Sequence, residues 1–178
     1  DRAAAELATI LRRAALEGLT NGPTLARQVE QATQAALTGG PADKAAAERV
    51  LSAAWVAYVE TVRRPTRDMI YAYPTLAPKA ASAEQILTAA ASAPSLERHL
   101  AEISTINPLY AELRDLAWHQ MQSSAAAAPD PRIAINLERL RSLPASGQFA
   151  LVNAATQRLQ MYENGKPVDS MKVIVGMQ

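Results

Sequence analysis

Apolar residues recur at three- and four-residue intervals along the first 143 positions, which is the pattern of amphipathic helices. The clearest stripe is formed by Leu51, Trp55, Tyr58 and Val62, and it predicts a long helix over 41–64 with its bulky rings on one face. Turn and capping residues delimit the other predicted helices. One predicted helix begins at residue 2 and stops at Gly18, and another starts at Asn107. The remaining predicted helices cover 23–37, 83–92, 94–103 and 132–142.

Two of the predicted helix starts carry specific capping signals. Ser82 followed by Gln85 is a capping box. Asn107 followed by Pro108 combines an N-cap residue with a proline at the first helical position. We expect the helices to pack into one body in which Trp55 is buried. The predicted core residues are Leu51, Trp55, Tyr58, Leu109, Leu113 and Leu116.

The pattern changes after Pro144, where strand-forming residues replace the helical spacing. Three strands are predicted, over Phe149–Asn153, Arg158–Tyr162 and Val168–Val175. Asn164-Gly165 between the second and third is a strong signal for a two-residue hairpin turn. The sequence therefore predicts a three-stranded antiparallel sheet.

The predicted fold class is mostly α, with a short antiparallel β segment at the carboxyl end. We divide the chain into a helical domain over 1–122, a linker over 123–131 and a last segment over 132–178. A sheet of this size is marginal in water by itself, and its outer strand presents unpaired backbone groups. We therefore expect it to lean on the helices or to self-associate through Phe149–Val175.

Composition excludes several classes of function. The 18 Lys and Arg residues nearly balance 17 Asp and Glu, a net charge of +1, which argues against a strongly basic nucleic-acid binder. No apolar run approaches 18 residues, so no membrane span is predicted. The absence of cysteine removes disulfides, thiolate metal sites and cysteine nucleophiles from these residues.

The remaining candidates for catalysis or metal binding are weak. His99 and His119 each lack a second ligand at helical spacing, whereas metal sites need several convergent ligands. Glu112 and Asp115 lie one helical turn apart, but with Arg114 between them we interpret this face as solvated. The sequence predicts no catalytic residue, no cofactor and no metal site within the chain.

Four segments near the carboxyl end resemble a known family in order and spacing. They are Ile135–Pro144 (INLERLRSLP), Phe149–Asn153, Leu159–Gly165 and Met171–Gly176. Over about 45 residues they are similar to the start of the YkuD-type catalytic domain of large L,D-transpeptidases. In that family a helix with an N-x-x-R-x-R-x-L-P pattern precedes strands that end in V-I-V-G. Upstream, Glu48–Thr61 and Ile106–Tyr110 resemble the family's helical scaffold domain.

The resemblance implies a role in peptidoglycan cross-linking in the bacterial periplasm, with stem peptides as partners and no cofactor. The family transfers an acyl group through a catalytic cysteine in an H-G-C type motif, assisted by a histidine. Neither residue can be assigned here, because the chain has no cysteine and both histidines lie in the scaffold-like part. We therefore expect a scaffold domain followed by the first strands of a truncated catalytic domain, inert as it stands.

Two arginines of the resembling segment allow two interpretations. Arg139 and Arg141 either anchor their helix, on the sheet or on carboxylates of the helical domain, or contact anionic glycan or stem peptide. The first interpretation is preferred, because the helix lies at a domain boundary. Arg63-Arg64 ends the long helix, where cations offset the helix dipole.

Two other classes of function stay open at this point. The chain could be a helical adaptor of the cell envelope whose β tail docks a partner. It could also belong to a lytic peptidoglycan enzyme that uses Glu48 or Glu60 as its acid.

Overall fold

The computed structural model describes residues 2–66, 70–73, 80–123 and 130–176, and it confirms a mostly α fold with a short antiparallel sheet. Most of the predicted linker, 124–129, lies outside the described residues, so the division into domains stays a prediction. The elements within the described ranges are α1 (Arg2–Arg13), α2 (Gly22–Thr38), α3 (Pro41–Val62), α4 (Ala83–Ala91), α5 (Leu96–Thr105), α6 (Pro108–Ser123), α7 (Pro131–Leu140), β1 (Gln148–Asn153), β2 (Arg158–Glu163) and β3 (Lys166–Lys172).

The first helix ends earlier than predicted, and a series of turns follows it up to Gly18. Regular α1 stops at Arg13, and the chain then turns until Gly18, whose φ of 95° lies in the left-handed region. The Leu19 N–H donates to the Ala14 carbonyl at 2.9 Å and the Gly18 N–H to the Ala15 carbonyl at 3.3 Å. These two bonds are those of a Schellman motif. Gly18 therefore does end the helical segment, and the residue just before it, Glu17, is buried.

The predicted capping box at the start of α4 is present. The Gln85 N–H donates to Ser82 Oγ at 3.2 Å, and the Ser82 N–H donates to Gln85 Oε1 at 2.9 Å. Both interactions are local in sequence, which is why the spacing alone predicts them.

The helices pack around two clusters of buried side chains. The larger joins α1, α2 and α3 and includes Trp55, which is 3% exposed and stacks on Tyr58 with ring centroids 5.7 Å apart. The smaller cluster contains Leu16, Tyr110, Ala117 and Leu137. Since Leu137 belongs to α7, this second cluster fixes α7 against α6 and the end of the first helical segment.

One predicted core residue is wrong. Leu116 is 63% exposed, whereas Leu51, Leu109 and Leu113 are half-buried. The buried stripe of α6 runs along Tyr110, Arg114 and Ala117 instead. Because an arginine occupies the centre of that stripe, the leucine spacing pointed to a face about a quarter-turn away.

The sheet has the strand order β1-β2-β3, with both pairs antiparallel. Asn164 and Gly165 both have positive φ, 50° and 77°, as a type I′ hairpin turn requires. The third strand begins two residues before the predicted Val168 and ends at Lys172 rather than Val175. Lys172 pairs with Arg158, the first residue of β2, so residues after Lys172 have no further β2 partner.

The hairpin turn between β2 and β3 meets the helical body. Tyr162 is buried and stacks on Phe149 across β1 and β2, with ring centroids 4.9 Å apart. At the hairpin tip, a Cβ on Gly165 would overlap the ring of Pro108 at the start of α6. The sheet therefore leans on α6 through its turn.

Two glycines with similar backbone geometry test this contact. Gly165→Ala is expected to destabilise the protein by about 1–3 kcal/mol, because the new methyl group overlaps Pro108 and the φ is unfavourable. Gly147→Ala carries a comparable φ of 85° with no atom within 4 Å of its Cβ, so it reports the backbone strain alone. Urea unfolding of both variants measures the difference, and equal losses of stability would show that the hairpin tip does not rest on α6.

Candidate functional site

A buried carboxylate lies where α1, α3 and α6 meet. Glu17 is 1% exposed, and its Oε1 accepts hydrogen bonds from the hydroxyls of Tyr58 at 3.1 Å and Tyr110 at 2.8 Å. Arg114 Nη1 lies 3.8 Å from the same oxygen. A buried charge requires this kind of pairing, because transfer out of water otherwise costs several kcal/mol.

Arg114 is itself buried and makes further bonds. It is 3% exposed, its Nη1 donates to the Ser104 carbonyl, and its Nε donates to Asp115 Oδ1 at 2.9 Å. Asp115 also accepts from Arg13 at 3.5 Å. The face of α6 interpreted as solvated therefore contains a buried cation, and the prediction for Arg114 was wrong. Only the neighbouring Glu112 is exposed as expected.

Burial decides the direction of the pKa shift of Glu17, Tyr58 and Tyr110. Desolvation raises the pKa of Glu17 above its ordinary value, although Arg114 and the two tyrosine hydroxyls oppose the shift. Desolvation and the nearby Glu17 carboxyl raise the pKa of Tyr58 and of Tyr110 as well. Both tyrosines therefore stay protonated and act as donors to Glu17.

Arg141 joins this group from the segment that follows α7. Its Nη1 donates to the Thr61 carbonyl at 3.1 Å, and its Nη2 donates to the Glu17 carbonyl. The anchoring interpretation is therefore right for Arg141, but its partners are backbone carbonyls of the helical domain rather than carboxylates. Arg139 is exposed, and its side chain makes no hydrogen bond or ion pair within the described part of the chain. Anchoring is wrong for Arg139.

Asn107 connects two helix ends at once. Its Oδ1 accepts from the Tyr110 N–H at 2.9 Å, which is the predicted N-cap of α6. Its Nδ2 donates to the Leu140 carbonyl at 2.8 Å and to the Leu143 carbonyl at 3.4 Å, at the end of α7. The side chain is 2% exposed, so water cannot replace these bonds. We use the name junction for Glu17, Tyr58, Asn107, Tyr110, Arg114 and Arg141.

Asn107 offers a matched pair of variants. Asn107→Asp keeps the N-cap oxygen for Tyr110 but replaces the donor to α7 by a carboxylate oxygen, so we expect a loss of about 2–3 kcal/mol. Asn107→Ser also keeps an N-cap oxygen but places no like-charged oxygen near the carbonyls, and a loss of about 1 kcal/mol is expected. Chemical denaturation measures both, and a milder effect for Asn107→Asp would contradict the double-cap geometry.

The residues considered for chemistry from sequence are not brought together. His99 is half-buried, and its ring meets that of Trp55 in an edge-to-face arrangement with ring centroids 6.1 Å apart. His119 is exposed on α6. Within the ranges given above, no group of three or more His, Asp and Glu side chains is placed to hold a metal ion. No helix in those ranges is long and apolar enough to cross a membrane.

Sequence reasoning missed Glu17 and the burial of Arg114. A signal for Glu17 is present, because it continues the apolar stripe of Ile10 and Ala14 at helical spacing and directly precedes Gly18. Its partners, however, lie on distant parts of the chain. Most polar atoms of the junction bond to other protein groups, whereas Glu17 Oε2 and Arg141 Nε have no hydrogen-bond partner in the described part of the chain. The bonds of Asn107 and Arg141 join the end of α7 to the helices before it.

The fold is a body of packed helices to which α7 and a small antiparallel sheet are attached. The chain belongs to the Scaffold domain family, which matches residues 1–116. No curated protein and no solved structure matches the chain.

The family match covers five of the six junction residues. Glu17, Tyr58, Asn107, Tyr110 and Arg114 lie within 1–116, while Arg141 lies beyond it. The junction is therefore the place where the Scaffold domain binds the segment that follows it.

Proposed function

We propose that this chain is the scaffold part, with the opening helix and strands of the catalytic domain, of an L,D-transpeptidase that cross-links peptidoglycan in the bacterial periplasm. Membership of the Scaffold domain family supports the first half of the proposal. The similarity of Ile135–Gly176 to the start of the family's catalytic domain supports the second.

The observation that carries the proposal is the pair of bonds from Arg141 to the carbonyls of Glu17 and Thr61. Arg141 is the second arginine of the N-x-x-R-x-R-x-L-P pattern, and both acceptors lie in the Scaffold domain. With Asn107 at the carbonyl end of α7, these bonds fix the direction in which the chain leaves the helices toward β1. In this proposal the scaffold sets the position of the catalytic sheet.

The family's chemistry requires a cysteine nucleophile, and these 178 residues contain no cysteine. The proposal therefore places the cysteine and histidine of acyl transfer in the same gene product, outside this sequence. The partners are peptidoglycan stem peptides, which donate and accept the acyl group, and no cofactor takes part.

The test uses the complete protein encoded by the gene, incubated with purified tetrapeptide muropeptides and assayed by mass spectrometry. We expect cross-linked dimers, their loss when the cysteine of a downstream H-G-C motif is replaced by alanine, and reduced yield in Arg141→Gln but not in Arg139→Gln. A gene without that motif, or a protein that forms no dimers, would contradict the proposal and favour the adaptor interpretation.

The lytic alternative receives no support from the geometry. Glu48 and Glu60 are both exposed on α3. A carboxylic acid that protonates a glycosidic oxygen is usually held in an apolar site.

We also propose that the isolated chain self-associates through its sheet. Val152, Leu159 and Met171 are cross-strand neighbours on one face, and Val152, Met161 and Met171 are 42–49% exposed. β3 is the last strand in the order β1-β2-β3 and all seven of its residues are exposed, so among the described residues no strand pairs with its outer edge.

Light scattering over a dilution series tests this proposal. We expect the chain to form dimers at high concentration and a version that ends at Ser146 to stay monomeric. Replacing Met161 and Met171 with lysine should weaken association of the intact chain. Monomeric behaviour of the intact chain at all concentrations would contradict the proposal.

A further inference from the structure

A cavity of about 350 Å³ lies between the end of α3 and the segment that follows α7. Three arginines line it, Arg63 and Arg64 from the end of α3 and Arg141 from the end of α7. Its apolar wall includes Val62, Ile106 and Leu143. The cavity is thus cationic on one side and aliphatic on the other.

The positive charges of this cavity have no counterion in the described part of the chain. No carboxylate lines the cavity there, and neither Arg63 nor Arg64 forms an ion pair with a described residue. Arg141 binds two neutral carbonyls, and its buried Nε lacks a hydrogen-bond partner. The dipole of α3 stabilises a positive charge at the end of the helix only modestly, and it provides no hydrogen-bond acceptor for the guanidinium N–H groups.

Concave sites lined by charge of one sign attract ions of the opposite sign. Guanidinium groups match planar carboxylates with two parallel hydrogen bonds. A bare inorganic anion would leave the aliphatic wall uncovered, whereas a short branched chain would cover it. A volume of about 350 Å³ is at the low end of the range for small-molecule sites.

We propose that this cavity binds a small aliphatic carboxylate, with Arg63 and Arg64 on the carboxylate and Val62, Ile106 and Leu143 against the hydrocarbon part. The site lies beside the junction, because Arg141 belongs to both. A ligand here would contact the segment that links α7 to the sheet. The inference does not depend on the proposed function, since it concerns only groups within this chain.

The test titrates the 178-residue chain with isovalerate and follows backbone amide signals of Thr66 and Ala145 by NMR, since both residues line the cavity. Isovaleramide, which has the same shape without the charge, and inorganic phosphate are the comparison probes. We expect isovalerate to bind with a Kd of about 1 mM, as suits a ligand of so few atoms. The amide and phosphate should bind at least roughly tenfold more weakly.

Variants separate the cavity from general surface charge. Arg63→Gln/Arg64→Gln should weaken isovalerate binding roughly tenfold or more, because it removes the guanidinium groups that bind the carboxylate. Both side chains are exposed, so the variant should still fold. Arg27→Gln/Arg49→Gln removes the same charge from exposed positions outside this cavity and should leave binding unchanged.

Three results would overturn the inference. The first is equal binding of isovalerate and isovaleramide, and the second is equal loss in the two double variants. The third is the absence of any isovalerate-induced shift of the Thr66 and Ala145 amide signals, which would show that the cavity does not take a carboxylate.

Discussion

Replacing Trp55 with alanine is expected to lower the free energy of unfolding by about 3–5 kcal/mol. The side chain is 3% exposed, stacks on Tyr58 and meets the ring of His99, so truncation leaves a cavity beside these two rings. Leu116→Ala is the control, because Leu116 is 63% exposed although its spacing suggested a core position. It should change stability by less than about 0.5 kcal/mol.

Urea unfolding, followed by far-ultraviolet circular dichroism, measures both variants. A large loss for Leu116→Ala with a small one for Trp55→Ala would reverse the assignment of the core. Equal losses would also contradict it.

Replacing Arg114 with methionine is expected to destabilise the protein by about 3–5 kcal/mol at neutral pH. The substitution keeps much of the volume but leaves the carboxyl group of Glu17 buried without its cation. In a Glu17→Gln background the same change should cost less, because no buried carboxylate remains. Arg98→Met, which removes an exposed pair with Glu102, should cost less than about 1 kcal/mol.

The double variant tests the mechanism of this loss. If Glu17→Gln/Arg114→Met is no more stable than Arg114→Met alone, the loss does not come from an uncompensated carboxylate. The contribution of Arg114 would then lie in its bond to the Ser104 carbonyl.

The raised pKa of Glu17 gives a pH dependence with a definite sign. The folded state binds the proton more tightly than the unfolded state, whose value is near 4.5. The contribution of this shift to the free energy of unfolding is fully present below the pKa of Glu17 in the unfolded state. It is lost as the pH rises through the pKa of Glu17 in the folded state. Glu17→Gln, which resembles the protonated carboxyl, should therefore gain stability relative to the natural chain as the pH rises from 4 to 8. Parallel stability curves for the two proteins would contradict the shift.

The elements of the fold could be predicted because their signals are local. The capping residues Ser82 and Gln85 lie within one helical turn, and Asn164-Gly165 fixes the hairpin by its own backbone preference. Helix ends were less accurate, since the turns before Gly18 satisfy the last carbonyls of α1 without regular helix.

The junction could not be predicted because its partners are far apart in sequence. Glu17 finds Arg114 only after α1 and α6 have packed, and charged residues are normally assigned to the surface when only the sequence is known. The same assumption placed Leu116 in the core instead of Arg114. The sequence motif identified Arg141 as a candidate. Its partners could not be predicted, because they are the backbone carbonyls of Glu17 and Thr61 and every residue carries such a carbonyl.

The central claim is that the Scaffold domain holds α7 through Arg141, and amide hydrogen exchange of two matched variants tests it most directly. Arg141→Gln and Arg139→Gln remove the same charge two residues apart, but only Arg141 bonds to Glu17 and Thr61. We expect exchange of the α7 amides to rise roughly tenfold or more in Arg141→Gln, while Arg139→Gln resembles the natural chain. Equal exchange of α7 in the two variants would contradict the claim.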